Sequence, residues 1–249
     1  MAVLRAEELT KSFGSRVVVR NLTLEVRSGE IVGLLGRNGA GKTTTFQMMA
    51  GLLRPDSGRL LLDDFDLSGL ATDKRARRGV TYLPQEGSAF LKASVRDNLR
   101  MILELRRLSR PEREERARIL LEELGLTDIA DQPAHTLSGG ERRRLEICRA
   151  LVLNPAFLLL DEPFTGIDPL TIVEIQKILL RLRERGIGIV LTDHNVRDTF
   201  RIVGRAAIID EGRVLVEGPP EALAADERAR RRFLGPDFRL GGEVLRGLA

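Results

Sequence analysis

A short apolar run, Ile31 to Leu35, leads straight into Gly36-Arg37-Asn38-Gly39-Ala40-Gly41-Lys42-Thr43. Such a run ending in a glycine turn reads as a strand buried on both faces, and strands of that kind belong to parallel sheets. The loop then opens a helix, predicted over Lys42 to Gly51. The segment satisfies G-x-x-x-x-G-K-[ST] in full. Gly39 and Gly41 let the backbone curl so that its N–H groups face phosphate oxygens. Lys42 supplies charge for the outer phosphates, and the Thr43 hydroxyl suits Mg²⁺. The helix aims its positive end at the same anion. A chance glycine turn would lack the flanking strand and helix. The predicted nucleotide contacts are Gly36, Arg37, Asn38, Gly39, Ala40, Gly41, Lys42, Thr43 and Thr44.

Two further segments carry related chemistry. Phe157-Leu158-Leu159-Leu160-Asp161-Glu162 is a buried strand ending in two acids. Asp161 is placed to hold Mg²⁺, and Glu162 to polarise an attacking water as general base. Leu137-Ser138-Gly139-Gly140-Glu141 opens a helical pattern. Ser138 is a natural N-cap, and Gly139 and Gly140 leave backbone N–H groups open at the helix's positive end. A plain capped helix needs the serine but not two glycines. The chain has one copy of each phosphate-binding element, far apart in sequence. That predicts a head-to-tail pair of chains, each closing the other's site around ATP.

The remaining pattern alternates strands and helices, which implies a mostly parallel, doubly wound α/β sheet. Strands are predicted at Val17 to Val19, Leu22 to Val26, Leu60 to Leu62, Val80 to Leu83 and Ile187 to Leu191. Helices are predicted over Arg142 to Leu153 and Leu170 to Arg183, and a closing hairpin at Ala206 to Ile209 and Val214 to Val216. From about Ser88 to Asn154, charged helix-forming sequence dominates, and it reads as a helical lobe inserted into the core. Glu112 with Arg116, and Glu114 with Arg118, are i, i+4 pairs that favour an exposed helix there. Ala222 to Leu234 reads as a charged terminal helix, and Gly241 to Ala249 as a turn-like tail. The predicted organisation is one domain over 1–249: an α/β core at 1–87 and 155–220, a helical lobe at 88–154, and a C-terminal helix and tail at 221–249.

Charge narrows the partners. The sequence pI is 9.7, but 36 acidic residues interleave with 40 basic ones, for a net charge of +4. The basic clusters Arg75 to Arg78, Arg142 to Arg144 and Arg230 to Arg232 carry no interleaved aromatic residues suited to base stacking, so they read as solvated helix faces, with contact to an acidic partner or anionic headgroups as the alternative, and no nucleic acid is expected. Cys148 is the one cysteine, on an apolar stripe with Leu145 and Leu151, and reads as a buried structural thiol. No apolar run approaches the roughly 20 residues that span a bilayer. A cytoplasmic chain, or one docked on a membrane from that side, is expected. His135 fits no motif and reads as a surface residue.

With these segments in this order, the chain resembles the nucleotide-binding subunits of ABC transporters over roughly Val3 to Leu240. Leu137 to Glu141 matches the family signature, and Gly36 to Thr43 and Leu158 to Glu162 match its two Walker motifs. The resemblance implies a P-loop NTPase (RecA-like) core with an N-terminal antiparallel β subdomain and an inserted α-helical lobe. It also implies a homodimer that drives integral membrane permease subunits without touching cargo. Gln85 matches the Q-loop glutamine that contacts Mg²⁺ and water, Asp168 the D-loop aspartate, and His194 the switch histidine that holds the γ-phosphate. Phe13 stands where the family places an adenine-stacking aromatic; phenylalanine keeps the π-face, and a plain core role is the alternative. Glu86 to Leu91 lie where the permease's coupling helix docks, with Phe90 as an apolar anchor or as part of the lobe's core. Tyr82 to Glu86, Leu191 to Arg197 and Phe233 to Leu240 resemble the lipopolysaccharide-export branch on the inner membrane. A branched-chain amino-acid importer ATPase, a non-transport ABC ATPase and a nucleotide kinase remain as alternatives.

Overall fold

The computed structural model describes residues 1–240. The predicted tail over 241–249 lies outside the described residues. Two sheets organise the chain. The smaller is antiparallel and joins β1 (Val3–Phe13), β2 (Arg16–Arg27), β4 (Ser57–Leu62) and β5 (Phe65–Asp66) in the order β2-β1-β4-β5. The larger contains β3 (Ile31–Gly36), β6 (Val80–Leu83), β7 (Phe157–Asp161), β8 (Gly188–Thr192), β9 (Arg205–Asp210) and β10 (Arg213–Gly218), ordered β10-β9-β3-β8-β7-β6. Every pairing in it is parallel except β9 with β10.

Burial explains why the apolar runs form the central strands. β3, β7 and β8 are buried at every position. Their alternate residues feed two cores. Leu158, Leu160, Ile189 and Leu191 join the core shared with the helical lobe. Val32, Leu34, Leu159 and Val190 join the core beneath the antiparallel sheet and α1 (Lys42–Ala50). After α2 (Thr72–Arg77), the lobe between β6 and β7 holds α3 (Val95–Leu103), α4 (Arg110–Glu123) and α5 (Gly139–Leu151). The core resumes with α6 (Pro169–Glu184), α7 (Val196–Phe200) and α8 (Pro220–Ala225). Cys148 is fully buried in the first core, and burial pushes its thiol pKa far up.

The structure departs from the sequence reading in several places. The strand over Val3–Phe13 was not apparent from alternation, because Glu8 adopts a left-handed φ of 50° and the register slips between Ala6 and Leu9. The bulge breaks the period of two. The predicted strands at 17–19 and 22–26 are one strand, β2. The two i, i+4 pairs of α4 do not form. Glu112 instead closes a capping box on Ser109, and Glu114 reaches Arg100 on α3 at 2.8 Å. Arg118 pairs with Glu115 and Glu122, while Arg116 bonds Asn154 and the Leu151 carbonyl. A helix cap and contacts between elements win because they satisfy groups that an exposed pair leaves to water. The single terminal helix predicted over Ala222 to Leu234 is broken at Asp226. That side chain accepts from Ala229 N at 2.9 Å and caps a new turn, followed by a π turn over Arg230–Leu234.

The reading of the basic clusters as solvated faces fails at Arg75 and Arg143, which are 1% and 7% exposed. Arg75 donates to the carbonyls of Met48 (2.6 Å) and Met49 (2.8 Å) at the end of α1, and to those of Leu70 and Ser68. It therefore closes the C-terminus of the phosphate-loop helix, where cationic donors meet the negative end of the dipole. Burial draws its pKa down to about 10, against the pull of Asp66. Arg75→Met keeps the length and removes every donor. Urea unfolding should show a loss of about 2–3 kcal/mol, the cost of leaving buried carbonyls unpaired; an unchanged midpoint would remove this role.

Candidate functional site

The phosphate loop leaves β3 and enters α1 through Gly41, whose φ of 105° no L side chain adopts without strain. A Cβ there would also stand 2.9 Å from the Val18 carbonyl of β2. Lys42 is only 6% exposed. Its ammonium donates to Gly36 O at 2.7 Å and Arg37 O at 3.1 Å. Burial lowers its pKa, and Glu162 and Asp161 oppose that shift. A cavity of about 400 Å³ opens here, lined by Arg16, Val18, Asn38, Gly39, Gly41, Lys42, Thr43, Thr44, Gln85, Glu162 and His194. A second cavity of about 400 Å³ shares Arg16, Val18, Asn38 and Gly39 and adds Arg37, Ala40, Asp210 and Glu211.

Strand register brings three distant residues to that cavity. Leu83 lies opposite Leu160, and Asp161 opposite Thr192. Gln85, Glu162 and His194 therefore emerge beside one another, each just past the carboxyl end of its strand. Ligand sites of open parallel sheets lie at this edge. Glu162 is 7% exposed and sits at the centre. Its Oε2 accepts from Gln85 Nε2 at 2.7 Å and Thr165 Oγ1 at 3.2 Å. Its Oε1 lies 2.6 Å from His194 Nε2. A carboxylate held between an amide and an imidazole is oriented for proton abstraction from water.

Asp161 turns to the other face of β7. It is buried, which raises its pKa; a hydrogen bond from Tyr82 opposes the rise, and Glu162 reinforces it. Among the described residues, only Tyr82 hydrogen-bonds this carboxylate, donating to Oδ2 at 3.1 Å. Oδ1 accepts no hydrogen bond among the described residues, and Asp161 is close enough to Lys42 for their charges to interact; Lys42, Thr43 and Gln85 line the cavity. No group of three or more His, Cys, Asp or Glu among the described residues could hold a metal. One carboxylate with hydroxyl, water and phosphate oxygens is the donor set Mg²⁺ prefers, so the residues fit that ion.

Sequence reasoning missed several supporting residues. Arg143 on α5 donates to Pro84 O and Asp161 O, each at 3.3 Å, and pairs with buried Glu146 at 3.0 Å. Glu146 in turn accepts from Ser88 N at 3.0 Å. Asp193 is buried and accepts from Phe164 N and Asn195 N, both at 2.9 Å. It thereby ties the segment after Glu162 to the one carrying His194. The sequence hint was a set of charged residues interrupting apolar stretches next to the motifs.

The other predicted residues lie elsewhere. Ser138 caps α5 through a capping box with Glu141, and neither Ser138, Gly139 nor Gly140 lines either cavity. Asp168 caps α6, accepting from Leu170 N, Thr171 N and Thr171 Oγ1. Gly140 packs on that same Thr171, so closely that a Cβ would overlap its methyl group. The second glycine of the pair thus has a packing cause as well as an open N–H. Phe13 is 52% exposed at the end of β1, which excludes the core alternative. It lines neither cavity but pairs across the hairpin with Arg16, which lines both. Phe90 is half exposed rather than part of the lobe's core, with the Arg149 guanidinium 4.5 Å from its ring. His135 is exposed, its Nδ1 3.2 Å from Leu91 O.

Residues 19–165, more than half of the chain, match the ABC transporter family. The chain belongs to that family. It is 50% identical to the lipopolysaccharide export system ATP-binding protein LptB of Escherichia coli strain K12, over 96% of this chain and all of that protein. It is 51% identical to the LptB of Acidithiobacillus ferridurans, over 96% of this chain and 99% of the relative. Among solved structures, the ADP conformation of an ABC transporter's ATP-binding cassette superposes with a TM-score of 0.84 at 25% identity, covering 94% of this chain and 99% of that one. A dimeric bacterial ABC transporter cassette matches with a TM-score of 0.77 at 25% identity, covering 87% and 98%. The fold, with its P-loop core, antiparallel subdomain and helical lobe, is therefore that of an ABC ATPase. The chain is an ATP-hydrolysing subunit of an ABC transporter.

The fit of α5 against α6 can be tested by substitution. Gly140→Ala should cost about 1–3 kcal/mol through overpacking. Adding Thr171→Ser removes the opposing methyl, keeps the hydroxyl that bonds Asp168, and should recover part of that loss in urea unfolding. No recovery would show that the glycine answers to something other than the Thr171 methyl.

Proposed function

We propose that this chain powers lipopolysaccharide export from the inner membrane. The observation that carries this reading is the 50% identity spanning the whole of an LptB protein, not the core motifs alone. In this reading two chains pair head to tail, and Ser138, Gly139, Gly140 and Asp168 of one chain complete the nucleotide site of the other. Their absence from the chain's own phosphate cavity supports that pairing. Residues 88–154 act as one lobe attached to the core at 1–87 and 155–220, with 221–249 as a C-terminal extension. No helix among the described residues is long and apolar enough to cross a membrane. The chain then works as a peripheral subunit on the cytoplasmic face, held by integral permease subunits. Their coupling helix docks over Gln85 to Leu91, where Phe90 and Leu91 are exposed.

In the proposed mechanism, Gly36 to Thr44 cradle the phosphates and Phe13 stacks on the adenine ring. Thr43, Gln85 and Asp161 would hold Mg²⁺, which would screen the phosphate charge. Glu162 takes the proton of a water whose oxygen bonds the γ-phosphorus, and the bond to the β-bridging oxygen breaks as ADP leaves. His194 orients Glu162 and donates to a γ-phosphate oxygen.

Glu162→Gln should preserve ATP binding and lower phosphate release by on the order of 100-fold or more. It should elute as an ATP-dependent dimer on size exclusion. Full turnover would exclude Glu162 as the base. The transport assignment is tested by gently solubilising native membranes and identifying what copurifies with the tagged chain. Permeases bearing large β-rich periplasmic domains are expected; purely helical permeases would instead indicate an importer.

A further inference from the structure

Tyr82 has no role in the assignments above, yet it touches the proposed metal carboxylate. It lies on β6 opposite Leu159 of β7, so Tyr82, Leu159 and Asp161 share one face of the sheet. Its ring packs at the edge of the core beneath α1, and its hydroxyl runs along β7 to donate to Asp161 Oδ2 at 3.1 Å. The same strand leads through Leu83 and Pro84 to Gln85. A phenylalanine would fill the same core space, so packing alone does not call for the hydroxyl. What the hydroxyl adds is a fixed rotamer for a buried carboxylate.

We infer that Tyr82 is a positioning residue for the metal: by occupying Oδ2 it aims Oδ1 of Asp161 at the Mg²⁺ that accompanies the nucleotide. This rests on the reading of Asp161 as the Mg²⁺ carboxylate. Partners one step behind a metal ligand orient it and hold its charge in place, and their loss weakens metal binding about 10–100-fold. The contact also gives the protein a built-in reporter. Tyr82 is the only tyrosine, and the chain has no tryptophan. Tyrosine emission therefore comes from this hydroxyl alone. A phenol bonded to a carboxylate is quenched by transfer of its proton in the excited state, and a cation on that carboxylate weakens the quenching.

The test uses the full chain, ADP and Mg²⁺, with calorimetry for binding and emission for the contact. Tyr82→Phe should leave ADP affinity in EDTA within about twofold of wild type and raise the Mg²⁺ concentration for half-saturation about tenfold. Thermal unfolding of the same variant checks that the fold is retained. Asp161→Asn should abolish the Mg²⁺ response, and adding Tyr82→Phe to it should change nothing more. In the wild type, emission should rise when Mg²⁺ is added to the ADP complex, and Asp161→Asn should remove the rise. A folded Tyr82→Phe with wild-type Mg²⁺ dependence, or flat wild-type emission, would overturn the inference. An Asp161→Asn variant with a normal Mg²⁺ response would instead overturn the metal assignment beneath it.

Discussion

The chain turns sharply as it leaves β7, and the site depends on that turn. Glu162 adopts a left-handed φ of 49°, a conformation that costs a non-glycine residue about 1–3 kcal/mol. It is held there because its N–H bonds Thr192 O at 2.8 Å on the neighbouring strand. The reversal separates the two acids that end β7. Asp161 keeps the strand's direction and faces Tyr82 and the phosphate-loop helix, while Glu162 swings between Gln85 and His194. Two adjacent carboxylates thereby acquire different partners and different tasks.

A buried ion pair joins this edge of the sheet to the helical lobe. Arg143 and Glu146 sit on the second turn of α5, whose N-terminus carries Ser138, Gly139 and Gly140. Between them they bond Pro84 O, Ser88 N and Asp161 O. The net stability of a buried pair is small, because desolvating both charges offsets most of their attraction. These bonds tie α5 to both the segment around Gln85 and the end of β7.

Much of this was legible before the fold was known. The phosphate loop, the Asp161-Glu162 strand and the serine-glycine helix start each carry local chemistry with few other uses. Gln85, Asp168 and His194 were legible only through family resemblance, since a lone Gln, Asp or His carries no local signal. The roles of Tyr82, Arg143 and Asp193 were not legible, because each has a partner far away in the chain. Arg75 and Arg143 sit among other arginines, and composition cannot say which member of a charged cluster points inward. The charge pairs expected on α4 failed for the same reason: Glu112 and Glu114 found partners at a helix cap and on α3.

The sequence by itself determined the nucleotide chemistry and the parallel core, because periodicity and loop motifs are properties of contiguous residues. Tertiary structure alone decided which neighbours each carboxylate meets, Tyr82 for Asp161 and Gln85 with His194 for Glu162. It also decided that Gly140 must be small against Thr171 and that Phe13 stands exposed. Those outcomes follow from strand order, register and one left-handed turn, which set distances between residues that the linear chain keeps apart.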